Sequence, residues 1–82
     1  MRKREESEPI RALARNYVVT RDDATLNELA RFLKERLRSA TLTYQQILDK
    51  TKLTLVATLR LYPALFEVDA EGRRVKVLPQ AH

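Results

Sequence analysis

The sequence predicts a mostly α-helical domain that ends in a β-hairpin. Three observations lead to this prediction. Two capping-box motifs open amphipathic stretches, a capping threonine opens a third stretch, and the hydrophobic period changes from helical to alternating near residue 66. The only glycine of the chain, Gly72, lies between the two alternating stretches, where a backbone with positive φ costs a glycine little. One domain over residues 10–78 is therefore expected, with its hairpin at the C-terminal end.

Length and composition restrict the chain to one small domain. It has 82 residues, of which 44% are apolar, and it has no cysteine. A chain of this size buries only about 60% of the surface that its unfolded form exposes, so its core has to be efficient. Because no disulfide or thiolate metal site is available, stability has to come from packing and from helix caps.

The two ends of the chain are expected to lie outside the domain. Residues 1–9 are almost all charged and end at Pro9, and they are predicted to be disordered. Residues 79–82 are predicted to be a tail. Residues 10–19 have apolar side chains at helical spacing and are predicted to form a short amphipathic helix. The end of that stretch, Tyr17–Thr20, also has β propensity, so an extended conformation there stays open.

Two capping boxes mark the starts of the next two helices. Thr25–Glu28 has the spacing for reciprocal hydrogen bonds between side chains and backbone amides, and the leucines that follow predict a helix to about Ser39. Thr43–Gln46 repeats the motif. This second helix is expected to be short and to end near Lys50.

A third helix and the hairpin complete the predicted domain. Thr54 can cap the helix, and Pro63 disfavours helical geometry in the residue before it, so the helix should stop near Tyr62. Phe66–Val68 and Arg74–Val77 then alternate apolar with charged side chains, which is typical of a hairpin with one solvated face. The predicted buried stripe of the third helix consists of Leu55, Val56, Leu59 and Tyr62.

The order of these elements resembles that of the winged helix-turn-helix superfamily. The short second helix, the link Thr51–Leu53 and the third helix form a helix–turn–helix pair, and the hairpin follows in the place of the wing. The resemblance covers about residues 24–78, and it implies that the exposed side of the third helix faces a DNA groove. Within the superfamily, Tyr62–Val68 resembles the LOTUS (OST-HTH) type of small RNA-associated winged helix. Such folds serve DNA, RNA and protein partners alike.

The residue inventory argues against catalysis. The one histidine, His82, is the last residue, and without cysteine there is neither a thiol nucleophile nor a histidine–cysteine metal cluster. A single glycine excludes a glycine-rich phosphate loop. Carboxylate pairs occur at Glu5–Glu6 and Asp22–Asp23, in a predicted tail and a predicted loop. We therefore expect a protein that binds rather than catalyses, with no cofactor, no metal and no small-molecule substrate.

The charge makes nucleic acid, DNA or RNA, the first candidate partner. Sixteen Lys and Arg residues against eleven Asp and Glu give a net charge of +5, and arginine is well suited to phosphate. The third helix offers few groups that read bases, so contacts to the backbone or recognition of RNA shape are favoured. The alternative is that these cations only form a solvated surface. The candidate nucleic-acid-binding residues are Arg31, Lys34 and Arg38 on the first capped helix, Lys50, Lys52, Thr54, Thr58 and Arg60 around the helix–turn–helix, and Arg73, Arg74 and Lys76 on the hairpin.

A protein-interaction module is the second hypothesis. Leu61 and Ala57 are predicted to project from the outward side of the third helix, where they would form an apolar patch. Leu13 and Tyr17 on the N-terminal helix either dock a partner, dimerise with a second copy or simply cap the domain.

The sequence also carries expectations about location. No apolar run approaches the roughly 18 residues that a membrane span needs. The basic N-terminus runs into glutamates rather than into an apolar stretch, unlike a secretory signal. An intracellular protein, cytoplasmic or nuclear, with no membrane partner is therefore expected.

Overall fold

The computed structural model describes residues 3–21 and 23–79. These residues form five helices and one small antiparallel sheet, joined by turns and bends. In the sheet, the strand Arg74–Val77 lies between the strands Ala24–Thr25 and Phe66–Val68. None of the helices in these residues has the length and apolar character to cross a membrane. Of the predicted tail, residues 79–82, only Pro79 is described, so His82 lies outside the described residues. In chain order the elements are α1 (Lys3–Glu6), α2 (Glu8–Val19), β1 (Ala24–Thr25), α3 (Leu26–Arg36), α4 (Tyr44–Thr51), α5 (Leu55–Arg60), β2 (Phe66–Val68) and β3 (Arg74–Val77).

Residues 3–9, the described part of the charged segment for which the sequence predicts disorder, form α1 and the start of α2 in the structure. Pro9 lies in the first turn of α2, where its fixed φ suits a helix start, rather than ending a tail. Ser7, between α1 and α2, is fully buried, and its Oγ lies 2.8 Å from Tyr62 Oη. The Tyr62 hydroxyl in turn donates to the backbone oxygen of Arg4 at 2.8 Å. A few specific polar contacts therefore order a segment that has almost no apolar side chains.

The helix predicted over residues 10–19 is present and starts two residues earlier. Ile10, Ala14 and Val18 are fully buried and face α3 and β3. The residues Tyr17–Val19 with β propensity stay helical, because burial of Val18 on the core face decides over local propensity.

Both predicted capping boxes are confirmed. Thr25 Oγ1 accepts from the Glu28 amide at 3.2 Å, while Glu28 Oε1 accepts from the Thr25 amide at 2.7 Å. Thr43 and Gln46 make the same two bonds at 3.3 Å and 2.9 Å. α3 ends at Arg36, somewhat before the predicted end, and residues 37–42 form turns and bends.

The third predicted helix is present as α5, capped by Thr54, whose Oγ1 accepts from the Ala57 amide at 3.1 Å. Its outward side differs from the prediction. Thr58, expected to face solvent, is fully buried, and its hydroxyl donates to the Thr54 carbonyl at 2.8 Å. Leu61, expected to be exposed, is half-buried against the core. The short α5 packs against α3 and β2, so most of its circumference is covered.

The hairpin is confirmed, and it belongs to a slightly larger sheet. Glu67 lies opposite Lys76 in the register of β2 and β3. Gly72 has φ of 70°, and a Cβ at that position would lie 3.4 Å from Val56 of α5. β1, which sequence reasoning missed, pairs with Arg74 and Val75 of β3. Two residues are too few to show an alternating pattern.

Candidate nucleic-acid interface

Three cations form a stripe along one side of α3 and its C-terminal turn. Arg31, Lys34 and Arg38 recur at spacings of three and four residues, so their side chains lie on one side, and all three are exposed. The core side of the helix carries Leu29 and Leu33, both fully buried. At a helical rise of about 1.5 Å per residue, the stripe extends over roughly 10 Å.

The charges of this α3 stripe are largely unneutralised. Arg31 and Lys34 have no ion pair or hydrogen bond with any other described side chain. Arg38 Nη1 lies 3.8 Å from Glu35 Oε1, and these two side chains are 77% and 73% exposed. Such exposed pairs contribute at most about 1 kcal/mol, so Glu35 does not hold Arg38 firmly. All three cations are therefore available to an external anion.

The α3 stripe begins beside the tip of the hairpin. The Leu26 amide donates to the Arg73 carbonyl at 2.8 Å, which ties the start of α3 to the hairpin. Asn27 precedes Arg31 by four residues and therefore lies on the same side of the helix. It lines a shallow depression together with Gly72 and the two hairpin arginines, Arg73 and Arg74. The hairpin arginines thus lie at the N-terminal end of the helix side that carries the α3 stripe.

The hairpin tip itself has a fixed shape. The Asp69 carboxylate accepts hydrogen bonds from the amides of Arg73 at 2.7 Å and Arg74 at 3.1 Å. The amide bonds, that of Arg74 foremost, hold the pKa of the Asp69 carboxyl below its usual range. Arg73 Nε lies 3.5 Å from Glu71 in a highly exposed pair, whereas Arg74 Nη1 is held at 3.0 Å from Asp23 Oδ2. Arg73 is therefore the more available of the two arginines.

The candidate residues around α4 and α5 are mostly engaged within the protein. Lys50 Nζ lies 3.2 Å from Glu6 Oε2 of α1. The Thr54 hydroxyl oxygen caps α5, and Arg60 Nη2 donates to the Asp69 carbonyl at 3.4 Å. Thr58 is removed from the candidate set, because a buried hydroxyl that bonds its own helix cannot reach a ligand. Lys52, at the left-handed cap of α4, is exposed.

Lys76 keeps an exposed position on β3, but it faces an acid. It lies directly opposite Glu67 across the hairpin, and both side chains are exposed. Opposite charges at such cross-strand positions stabilise the pair by about 0.2–1 kcal/mol. Lys76 therefore contributes less positive potential than the α3 stripe.

The apolar residues of the protein-interaction hypothesis are used inside the domain. Leu13, Tyr17, Ala57 and Leu61 are all half-buried, and those other than Ala57 pack against the core. The Tyr17 and Phe32 rings contact each other at a centroid distance of 4.5 Å. Within the single chain, the N-terminal helix packs against α3 and β3. Val19 is the one large apolar side chain of the described residues that is exposed, and it stands alone.

The aromatic residues offer no free ring face. Tyr44, Tyr62 and Phe66 are buried. The ring pair Tyr17–Phe32 is covered on its outer sides by guanidinium groups, with Arg21 at 3.9 Å from the Tyr17 ring and Arg36 at 5.4 Å from the Phe32 ring. A platform on which an unpaired base could stack is therefore lacking in the described part of the chain.

Sequence reasoning missed the role of α1. Glu6 neutralises Lys50, and Arg4 Nη2 donates to the Leu61 carbonyl at 2.7 Å, so this short helix occupies groups at the corner of α4 and α5. Nothing in the pattern of this charged segment indicated these contacts. No group of three or more acidic or histidine side chains suited to a metal is found among the described residues.

Comparison of the chain with protein-family models, with curated proteins and with solved structures finds no match in any of the three.

Proposed function

We propose that the chain is a non-catalytic winged-helix module that binds nucleic acid through its phosphates, using the α3 stripe and the hairpin tip. The observation that carries this proposal is the row of three exposed cations on α3, of which only Arg38 has an ion pair among the described residues, on the helix side whose N-terminal end adjoins the hairpin arginines. The order of α4, turn, α5 and hairpin supports the winged-helix assignment.

Phosphate is the chemistry that suits this surface. Arg31, Arg38 and Arg73 can each donate two parallel hydrogen bonds to a phosphate, and Lys34 adds a point charge. Each phosphate neutralised on a duplex steepens the fall of log affinity with log salt by about 0.9. Four such contacts correspond to a slope between about −3 and −4.

The ligand that fits best is a duplex contacted along its backbone. α5 has no asparagine or glutamine to read bases, its Thr58 is buried, and its one arginine, Arg60, makes a 3.4 Å hydrogen bond to the Asp69 carbonyl. Single-stranded ligands are usually held by stacking on aromatic rings, and no free ring is present in the described residues. Binding to the regularly spaced phosphates of a duplex requires neither base-reading side chains nor free aromatic rings.

Two matched triple variants test the proposal. The first removes the α3 stripe (Arg31→Gln, Lys34→Gln, Arg38→Gln), and the second removes three cations around α4 and α5 (Lys50→Gln, Lys52→Gln, Arg60→Gln). Both lower the net charge by three, so any difference between them reports position rather than charge. Affinity for a short labelled duplex is measured by fluorescence anisotropy over a salt series.

The first variant is expected to lose most of the affinity, with a salt slope shallower by nearly three, while the second keeps a slope close to that of the unmodified protein. Equal losses in the two variants contradict a defined interface. A loss confined to the second variant moves the interface to the helix–turn–helix. Tighter binding of a single strand of the same length contradicts the duplex assignment.

A further inference from the structure

The segment that joins α3 to α4 combines hydroxyl groups with arginines, and its residues 38–41 lie outside the core. From residue 36 to residue 42 it reads R-L-R-S-A-T-L. Thr41 is exposed, and its side chain has no hydrogen-bond partner among the described residues. Arg38 precedes it by three residues and Arg36 by five, and the apolar Leu42 follows.

We propose that Thr41 is a phosphorylation site for a protein kinase that selects arginine upstream of its acceptor. Kinases choose substrates largely by complementary charge patterns, and an acidic cleft binds a guanidinium with two parallel hydrogen bonds. Arg38 has no firm partner in the protein, since Glu35 lies 3.8 Å away in an exposed pair. Its guanidinium can therefore transfer to such a cleft at little cost.

The backbone of this segment can open without disturbing the core. Residues 38–41 are all exposed, and Leu37, which is buried, anchors the chain before them. Among the described residues, two backbone hydrogen bonds lie within the turn, from the Arg38 amide to the Glu35 carbonyl at 3.4 Å and from the Ala40 amide to the Leu37 carbonyl at 3.2 Å. Local opening of such turns lies at the low end of the free-energy range for native-state fluctuations.

The same geometry distinguishes Thr41 from the neighbouring hydroxyl of Ser39. For Ser39 the arginine three residues upstream is Arg36. A kinase that binds Arg36 and Ser39 together in an extended segment therefore also has to pull out Leu37, which lies between them. Withdrawal of the buried Leu37 exposes its apolar side chain to water, which disfavours that extended form. For Thr41 the arginine is Arg38, and Leu37 stays in place.

The reaction is transfer of the γ-phosphoryl group of magnesium-bound ATP. The Thr41 Oγ1 attacks the γ-phosphorus, the bond from that phosphorus to the bridging oxygen breaks, and ADP leaves while the hydroxyl proton passes to the kinase's base. The product carries a charge of about −1.5 to −2 three residues from Arg38. It attracts the Arg38 guanidinium more strongly than Glu35 does and neutralises the C-terminal end of the α3 stripe. This last consequence rests on the proposed function, whereas the modification site does not.

The modification is tested on the full chain with a purified kinase whose peptide substrates carry arginine three residues before the acceptor. Intact mass and fragment mass spectra are expected to show one phosphate, on Thr41. Arg38→Gln should slow the modification by about tenfold or more, the equivalent of one charge-assisted hydrogen bond. Thr41→Ala should abolish the modification, and Ser39→Ala, the matched control, should not change its rate. Phosphate on Ser39, or none, overturns the assignment.

The consequence for binding is measured on the phosphorylated protein with the same duplex. Loss of one phosphate contact near 0.1 M salt corresponds to a fall in affinity of roughly tenfold and a salt slope shallower by nearly one. Thr41→Ala treated with the kinase should bind as the unmodified protein does. A protein that is modified but binds unchanged overturns the regulatory part. A duplex-binding protein that is never modified overturns the site, and a modified protein without duplex affinity before treatment overturns the proposed function alone.

Discussion

Helices α3 and α5 start in the same way but differ in what surrounds them. Each follows a threonine whose hydroxyl oxygen accepts an amide of the first turn. α3 has one side in the core and a second, basic side open to solvent. α5 has only six residues, with Leu55, Thr58 and Leu59 buried and Val56 against the hairpin. Two helices that begin with similar capping signals therefore differ in how much of their surface is exposed to solvent.

The difference shows that the packing of the hairpin, rather than the local sequence, decides which of the two helices keeps an exposed side. The hairpin folds back over α5, placing Gly72 near Val56 and Asp69 near Arg60. The same hairpin only touches the start of α3, so the rest of that helix stays open. Changes in α5 should thus alter stability, and changes on the α3 stripe should alter binding.

The largest effect that separates the two helices is expected from Leu59→Ala. Leu59 is fully buried on α5, so its truncation leaves a cavity and costs about 2–5 kcal/mol of the free energy of unfolding. Lys34→Ala on the α3 stripe is the control and should change that free energy by no more than about 0.5 kcal/mol. Urea unfolding followed by circular dichroism measures both. A loss below about 1 kcal/mol for Leu59→Ala contradicts the buried position of α5.

A smaller effect is expected where the two helices are alike, at their caps. Thr25→Ala and Thr54→Ala each remove one side-chain acceptor for a first-turn amide, which costs about 1 kcal/mol. In Thr25→Ala the Glu28 amide loses its side-chain acceptor, whereas the Glu28 carboxylate can still accept from the amide of residue 25. We expect similar losses of unfolding free energy in urea for both variants, with no loss of duplex affinity for Thr54→Ala. Loss of affinity in that variant without loss of stability contradicts the structural role of α5.

The helices and strands could be predicted from local sequence wherever a capping residue or a periodic spacing of apolar residues indicates them. The boxes at Thr25 and Thr43 and the glycine at the hairpin turn each fix a backbone conformation through bonds within a few residues. The strand β1 and the ordering of α1 depend instead on partners more than 45 residues away, at Val75 and Tyr62. No local pattern encodes such pairings.

The candidate site could be predicted in part. The α3 stripe follows directly from helical spacing, so Arg31, Lys34 and Arg38 were identified from the sequence alone. The status of the other cations depends on tertiary contacts, such as the pairing of Lys50 with Glu6. The assignment of Thr58 to the binding surface is wrong. The four apolar residues of the predicted stripe indicate one buried side, but the structure also buries the side that carries Thr58.

A pH effect should appear at Asp69, the residue that connects the hairpin tip with α5. Its carboxylate binds the amides of Arg73 and Arg74, and its carbonyl accepts from Arg60. Since those amides hold the pKa of the carboxyl below its usual 3.8, the ionised form stabilises the tip above pH 3.8. This stabilisation is lost as the pH falls through the lowered pKa.

Amide chemical shifts measured by NMR over an acid titration follow this effect. The Arg73 and Arg74 amides should shift together with a midpoint below 3.8, and Asp69→Asn should remove the transition. A midpoint at or above 3.8 contradicts the amide bonds at the tip.

The smallest effect, and the sharpest separation of α5 from α3, is expected from Thr58→Val. Valine has nearly the same shape as threonine, and the Thr54 carbonyl keeps its bond to the residue 58 amide at 2.9 Å after the hydroxyl is removed. Replacement of a buried hydroxyl whose partner stays satisfied is close to neutral, so the free energy of unfolding should change by less than about 0.5 kcal/mol. Duplex affinity should not change either, whereas Lys34→Gln, measured beside it, should weaken binding by roughly tenfold near 0.1 M salt. An equal loss of affinity in Thr58→Val would show that α5 opens to meet the ligand, and the contrast between the two helices would then hold only for the unbound protein.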